Sequence, residues 1–144
     1  MKKLLLIIAI VFAGFALKQI YLANVTDDVS LYGENNNAVN LFDLNDPRIR
    51  IVYFGFTRCP DVCPTSLAML SGALNQIDDT TLSQFRPIFI TLDPQRDSPE
   101  HSAEYAHYFH KKIEGSSGSL QAVNMLTERY GVTFHKTELK DSAL

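Results

Sequence analysis

Cys59 and Cys63 are the two cysteines of the 144-residue chain, and they stand four positions apart in "IVYFGFTRCPDVCPTSLAML". Sulfurs so placed can close a disulfide, hold a soft metal ion or act as a thiolate pair. Pro60 and Pro64 are tolerated only if a helix starts between or just after them, because an interior proline costs about 3 kcal/mol. Asp61 is a natural N-cap, which puts Cys63 in the first turn, where unpaired N–H groups and the helix dipole favour a thiolate. Cα atoms four apart across a helical turn lie roughly 6 Å apart, within disulfide range. Two thiolates so held also suit Cu(I). A purely structural disulfide is a poor explanation, since closing so short a loop removes little unfolded-chain entropy. A structural zinc site needs four protein ligands, and no histidine stands nearby. Redox chemistry, copper binding or both are left.

The pair needs elements to hold it. "IRIVYFGF" (Ile49 to Phe56) has the β-branched and aromatic density of a buried strand, so the cysteines follow a strand's C-terminal end, where α/β folds place their sites. Behind them Leu67, Leu70, Leu74 and Ile77 fall on one helical face. "RPIFITLD" (Arg86 to Asp93) reads as a second buried strand. "DSPEHSAEYAHYFHKK" opens a helix with Asp97 and Glu100 at capping-box spacing and Pro99 in the first turn. "SLQAVNMLTERYG" is a further helix, from a Ser119 N-cap to a Gly131 stop, and "VTFH" begins another strand. Upstream, "VSLY" and "AVNLF" flank Gly33 and Asn35–Asn37 as a hairpin. Buried strands joined by helical crossovers make an α/β layered domain. The reading ends just after a strand begins, so further strands and a closing helix are expected beyond Leu144.

Residues 1–23 read as a membrane anchor or signal. Lys2 and Lys3 precede the apolar run "LLLIIAIVFAGFAL", and with Lys18 snorkelling the stretch reaches roughly the 20 residues that span a bilayer. No small-x-small cleavage site follows, which favours an uncleaved anchor. The lysines then place the rest outside that membrane, at the inner membrane of a bacterium with the domain in the periplasm, where a cysteine pair can be oxidised. Residues 24–30 are a tether, and 31–144 the domain. Past residue 23 the chain holds 10 basic against 16 acidic residues, net −6. That excludes a nucleic-acid binder, which needs clustered Lys and Arg.

"YFGFTRCPDVCPTSLAML", followed about thirty residues later by "FITLDPQRDSPE", resembles the SCO/SenC family of thioredoxin-like copper proteins, with both family motifs present almost letter for letter. The likeness covers roughly residues 30 to 134. It implies a thioredoxin-like fold and a part in assembling cytochrome c oxidase, whose dinuclear copper centre receives copper or reducing equivalents. On that likeness Cys59 and Cys63 are the copper ligands and redox pair, and Asp93 lies near the site. Arg96 and Asp97 brace the loop by charge-assisted hydrogen bonds. The partner is the copper-bearing oxidase subunit or another copper chaperone. The family's histidine ligand sits on a strand beyond the "YGV" helix, so it is expected beyond Leu144; His135 comes too early in the pattern. His107 and His110 share a helical face and read as solvated surface. His101 is assigned no role.

Two readings compete, beside a third of a non-catalytic membrane-tethered binding module. One is a copper-binding assembly factor, not an enzyme in the turnover sense. The other is a membrane-anchored thiol–disulfide oxidoreductase acting on protein cysteine pairs. The CxxxC spacing, where thioredoxin has CxxC, favours the first. A peroxidase of the peroxiredoxin type wants Thr or Ser three residues before its cysteine, and Phe56 and Pro60 occupy those positions.

Overall fold

Two runs of β-branched and aromatic residues, Ile49–Gly55 (β3) and Phe85–Thr91 (β4), pair in parallel over seven residues in a computed structural model that describes residues 11–17 and 29–134. β4 pairs in parallel with β5 (Glu114–Gly118). The hairpin β1 (Leu31–Tyr32) and β2 (Ala38–Val39) joins antiparallel through β1. The sheet order is β2-β1-β5-β4-β3. Asn35 and Asn36 turn the hairpin at φ 55° and 57°, a left-handed conformation that asparagine tolerates.

Alternation along β4 sends side chains to two cores. Ile88 and Ile90 pack with Leu31, Val39, Leu41 and Leu126 on one face. Phe89 packs with Leu67, Leu74, Leu82, Ala106 and Ile113 on the other. Helix α1 (Val62–Leu74), the short α2 (Asp79–Leu82) and α3 (Pro99–Phe109) therefore cover one face, and α4 (Leu120–Tyr130) the other. β4 is the buried strand that was expected, fully so from Pro87 to Thr91. β3 is not: it lies at the sheet's edge among the described residues, and most of its side chains are half-buried.

β5 lies inside a stretch that offers no hydrophobic pattern, "EGSSG", and sequence reasoning passes over it. Its residues are small because α3 runs directly across them. A Cβ on Gly115 would sit 2.0 Å from the Ser102 carbonyl oxygen, a contact no side chain survives. Ser116 donates to the Phe89 carbonyl and Ser117 to the Asp97 carbonyl, so polar side chains close the strand onto its neighbours. At the other end of the sheet the half-buried Arg86 donates to Glu114, Asp46 and the Asn40 carbonyl, joining β4, β5 and the hairpin's exit.

Ser119 caps α4 as expected, accepting from Ala122 N–H, and Gly131 ends it at φ 65°. α3 is capped by Ser98, which accepts from His101 N–H, and not by Asp97. It ends at Phe109, with His110 and the two lysines already outside the helix. Val132–Phe134 form no strand, and His135 lies outside the described residues. Of the apolar segment expected to be an anchor, residues 11–17 are helical and exposed, and the rest lies outside the described residues. Among the described residues no helix is long and apolar enough to cross a membrane.

Candidate thiol and metal site

β3 ends at Gly55, and the reason for a glycine is crowding. A Cβ there would meet Tyr53 Cε1 at 2.9 Å, Phe89 Cε2 at 3.1 Å and Cys63 Sγ at 3.2 Å. The Cys63 sulfur thus tucks under the end of the strand, and the residue is 6% exposed. The chain turns through Phe56, whose carbonyl accepts from Cys59 N–H, and enters α1 at Val62.

Asp61 occupies the N-cap position, but its side chain makes no capping hydrogen bond. The Cys59 sulfur does that work, accepting the Cys63 N–H at 3.4 Å. The expectation that the helix start makes Cys63 the acidic thiol therefore fails, because the free N–H groups point at the other cysteine. Burial alone would raise the half-buried Cys59 thiol, but the N–H groups of Asp61, Cys63 and Val62 outweigh it and hold it below its ordinary value. Burial pushes the Cys63 thiol up, and its hydrogen bond to Cys59 adds to the rise. Both cysteines are free thiols. The result is an asymmetric pair: a partly exposed sulfur poised as thiolate, and a buried partner one helical turn away.

The second motif holds this loop in place. Asp97, 2% exposed, accepts from Thr57 N–H at 3.2 Å, from Thr57 Oγ1 at 2.6 Å and from Thr91 Oγ1 at 2.6 Å. Its carboxylate joins the cysteine loop to the end of β4. Leu92 N–H donating to the Gly55 carbonyl makes a second tie. Asp97 does brace the loop, then, with Thr57 and Thr91 as partners that sequence reasoning did not single out. Arg96, though exposed, spans the same loop as an ion pair, its Nε 3.6 Å from Asp93 Oδ2. Asp93 is buried at the same end of the sheet, its N–H donating to Thr91 Oγ1.

The histidines lie elsewhere. His107 is half-buried in a cavity lined by Gly33, Arg86 and Glu114, at the opposite end of the sheet. His110 is also half-buried, its Nδ1 accepting from Lys112 N–H, so neither is the fully solvated residue expected. His101 is exposed in the first turn of α3. Among the described residues no group of three or more His, Cys, Asp or Glu could hold a metal ion. Two soft sulfurs at the start of α1 are the donor set among the described residues, which suits Cu(I) and includes no nitrogen donor of the kind Cu(II) favours.

The family described as SCO1/SenC matches residues 19–143. The mitochondrial SCO1 homolog 1 of Arabidopsis thaliana is 40% identical over 92 residues, 64% of this chain and 28% of that protein. The chain spans 28% to 55% of the length of the first three curated relatives it matches. Apo Sco1 from Thermus thermophilus superposes with a TM-score of 0.69 at 35% identity, over 80% of this chain and 66% of that one. Arabidopsis thaliana ScoI with copper bound gives a TM-score of 0.69 at 36% identity, over 78% and 70%. The thioredoxin-like α/β fold expected from the sequence is the fold of these structures.

Proposed function

Since this chain belongs to the SCO1/SenC family, we propose that it is a copper-binding assembly factor, which delivers copper, reducing equivalents or both to the dinuclear copper centre of cytochrome c oxidase. The Sco family is one of cytochrome c oxidase assembly proteins, and a relative of the same fold carries copper. The observation that carries the reading is the asymmetric thiol pair at the start of α1. Cys59 supplies a partly exposed thiolate for first capture, and Cys63 a second sulfur from beneath the strand end. Thiolates select Cu(I) over harder ions, and binding must release the proton that Cys63 retains. Asp97 and Gly55 hold in place the loop and strand end that carry the two sulfurs. The partner on this reading is the copper-bearing oxidase subunit or another copper chaperone. Residues 1–23 hold the domain at the membrane, facing the extracytoplasmic space.

The same asymmetry favours a second reading, a thiol–disulfide oxidoreductase. A low-pKa, accessible cysteine beside a buried resolving one is the arrangement such exchange uses. One experiment separates the two. The Cu(I)-loaded chain is mixed with the soluble copper domain of the oxidase subunit in its reduced, dithiol form, and separately the copper-free dithiol is mixed with the same domain in its disulfide form. Copper recovered with the recipient after separation from the loaded chain supports delivery. Reduction of the recipient's disulfide by the copper-free chain, with no copper passed by the loaded one, supports the oxidoreductase instead.

A further inference from the structure

From Val62 to Ile77 the chain carries no charged residue, and α1 lies wholly inside that stretch. Its inward positions include Cys63, Leu67 and Leu74, all buried. The helical repeat then sets Val62, Met69 and Ala73 in one outward line, with Thr65 and Gly72 beside it. Val62 is 66% exposed and Met69 73%, and Thr65, Gly72 and Ala73 are exposed as well. A Cβ on Gly72 would meet nothing within 4 Å, so none of the described residues covers that part of the stripe. The outward positions of α3 and α4 differ: Glu100 and Glu104 stand on the first, Glu128 and Arg129 on the second. A helix face turned only to water carries such charges, whereas α1 offers the solvent hydrocarbon, a thioether and bare backbone.

The stripe begins at the thiol pair. Val62 adjoins Cys63, whose N–H donates to the Cys59 sulfur, and the line runs about 16 Å along the helix from there. An acceptor's sulfur has to come within bonding distance of Cys59 or of the copper it holds, so the acceptor's surface comes down beside Val62. We propose that the uncharged outer face of α1, from Val62 through Met69 to Ala73, is the docking surface for that acceptor: a protein domain whose cysteine pair opens beside a shallow apolar groove. The proposal rests on the reading that Cys59 and Cys63 act on another protein's cysteine pair. In delivery, Cu(I) exchanges its bonds to Cys59 and Cys63 for bonds to two acceptor thiolates, protons move the other way, and no electron is transferred. A charge-free face lets the two surfaces meet without burying an unpaired ion. A contact that must part after each transfer is small and weakly held, which a single helix face supplies.

The test places charges of both signs on the stripe, more than a helical turn from Cys63. The full chain, Met69→Glu, Met69→Lys and Ala73→Glu are loaded with Cu(I). Each is mixed with the reduced copper domain of the oxidase subunit, or with a small-molecule Cu(I) chelator that needs no docking surface. If the parent passes electrons instead of copper, the copper-free dithiols are compared on the domain's disulfide form, with glutathione disulfide in the chelator's place. Asn124→Glu, exposed on α4 across the sheet, is the control. Each stripe variant should slow transfer to the domain by about tenfold. Reaction with the small molecule should stay within about twofold of the parent, as should both reactions of Asn124→Glu. Unchanged transfer from the stripe variants overturns the proposal and leaves the functional reading standing. Equal slowing toward domain and small molecule, equal slowing in Asn124→Glu, or opposite effects of Met69→Glu and Met69→Lys also overturn it. So does a parent dimer that Met69→Glu splits, which assigns the face to a second copy. A parent that passes neither copper nor electrons to the domain defeats the functional reading and this proposal with it.

Discussion

Thr57 donates both its N–H and its hydroxyl to the carboxylate of Asp97, forty residues further along the chain. This contact turns two separate sequence motifs into one site, since Thr57 leads into the cysteines and Asp97 closes the loop after β4. The carboxylate also takes Thr91 Oγ1, so replacing it leaves buried donors unsatisfied. Asp97→Ala should destabilise the domain by about 3 kcal/mol, the order expected when hydrogen bonds to a buried charged group are lost. Urea unfolding of parent and variant measures it. A change below ~1 kcal/mol would show that the clamp is replaceable.

The thiols should titrate in two steps, Cys59 before Cys63. N–H groups hold Cys59 down and burial holds Cys63 up, so as pH rises the Cys59 sulfur deprotonates first and Cys63 stays protonated longest. Thiolate absorbance against pH should give a first apparent pKa below the free value of ~8.5 and a second above it. Limited alkylation near neutral pH should label Cys59 before Cys63. Preferential labelling of Cys63 would reverse the assignment.

Gly115→Ala should be among the most damaging single-methyl changes in the domain. The added Cβ meets the Ser102 carbonyl at 2.0 Å, and α3 cannot retreat without opening the core around Phe89 and Ala106. Its effect should reach the top of the ~1–3 kcal/mol range for overpacking. Thermal unfolding close to that of the parent would mean that α3 has room that the structure does not show.

These contacts also mark what could be read from the chain beforehand. The strand–cysteine–helix unit was legible because Ile49–Gly55 and Leu67–Leu74 carry strong apolar patterns, with two prolines fixing where the helix begins. β5 was not. Close packing against α3 demands Gly115, Ser116 and Ser117, and small residues erase the alternation that announces a strand. The edge position of β3 is a property of topology, which its own hydrophobic residues do not report. The N-cap position of α1 was read correctly at Asp61 and that of α3 one residue early, but the capping atoms differ from those expected for a chemical reason. Asp61 and Asp97 are good caps by type, yet the sulfur of Cys59 and the hydroxyl of Ser98 take those roles. Asp97 is thereby freed for the threonines, a pairing that only the folded sheet brings together.

Cu(II) should bind poorly to this chain. The described residues give two sulfurs and no imidazole beside them, and Cu(II) favours nitrogen donors. Titration with Cu(II), followed by thiolate-to-copper charge-transfer absorption, should give a weak band. Phe134 packs on Phe56 at 6.1 Å, three residues before Cys59, and His135 follows Phe134 in the chain. A full band that His135→Ala removes would identify His135 as the third ligand and contradict the expectation that the histidine lies beyond Leu144.

Copper retention by single-cysteine variants tests the central claim most directly. If Cys59 and Cys63 bind as one unit, Cys59→Ser and Cys63→Ser should each lose Cu(I) as completely as the double variant. The measurement is bound copper per protein after anaerobic Cu(I) loading and desalting against a competing chelator. The account predicts about one copper per parent chain and essentially none in either single variant. Near-parental copper in either one would contradict it.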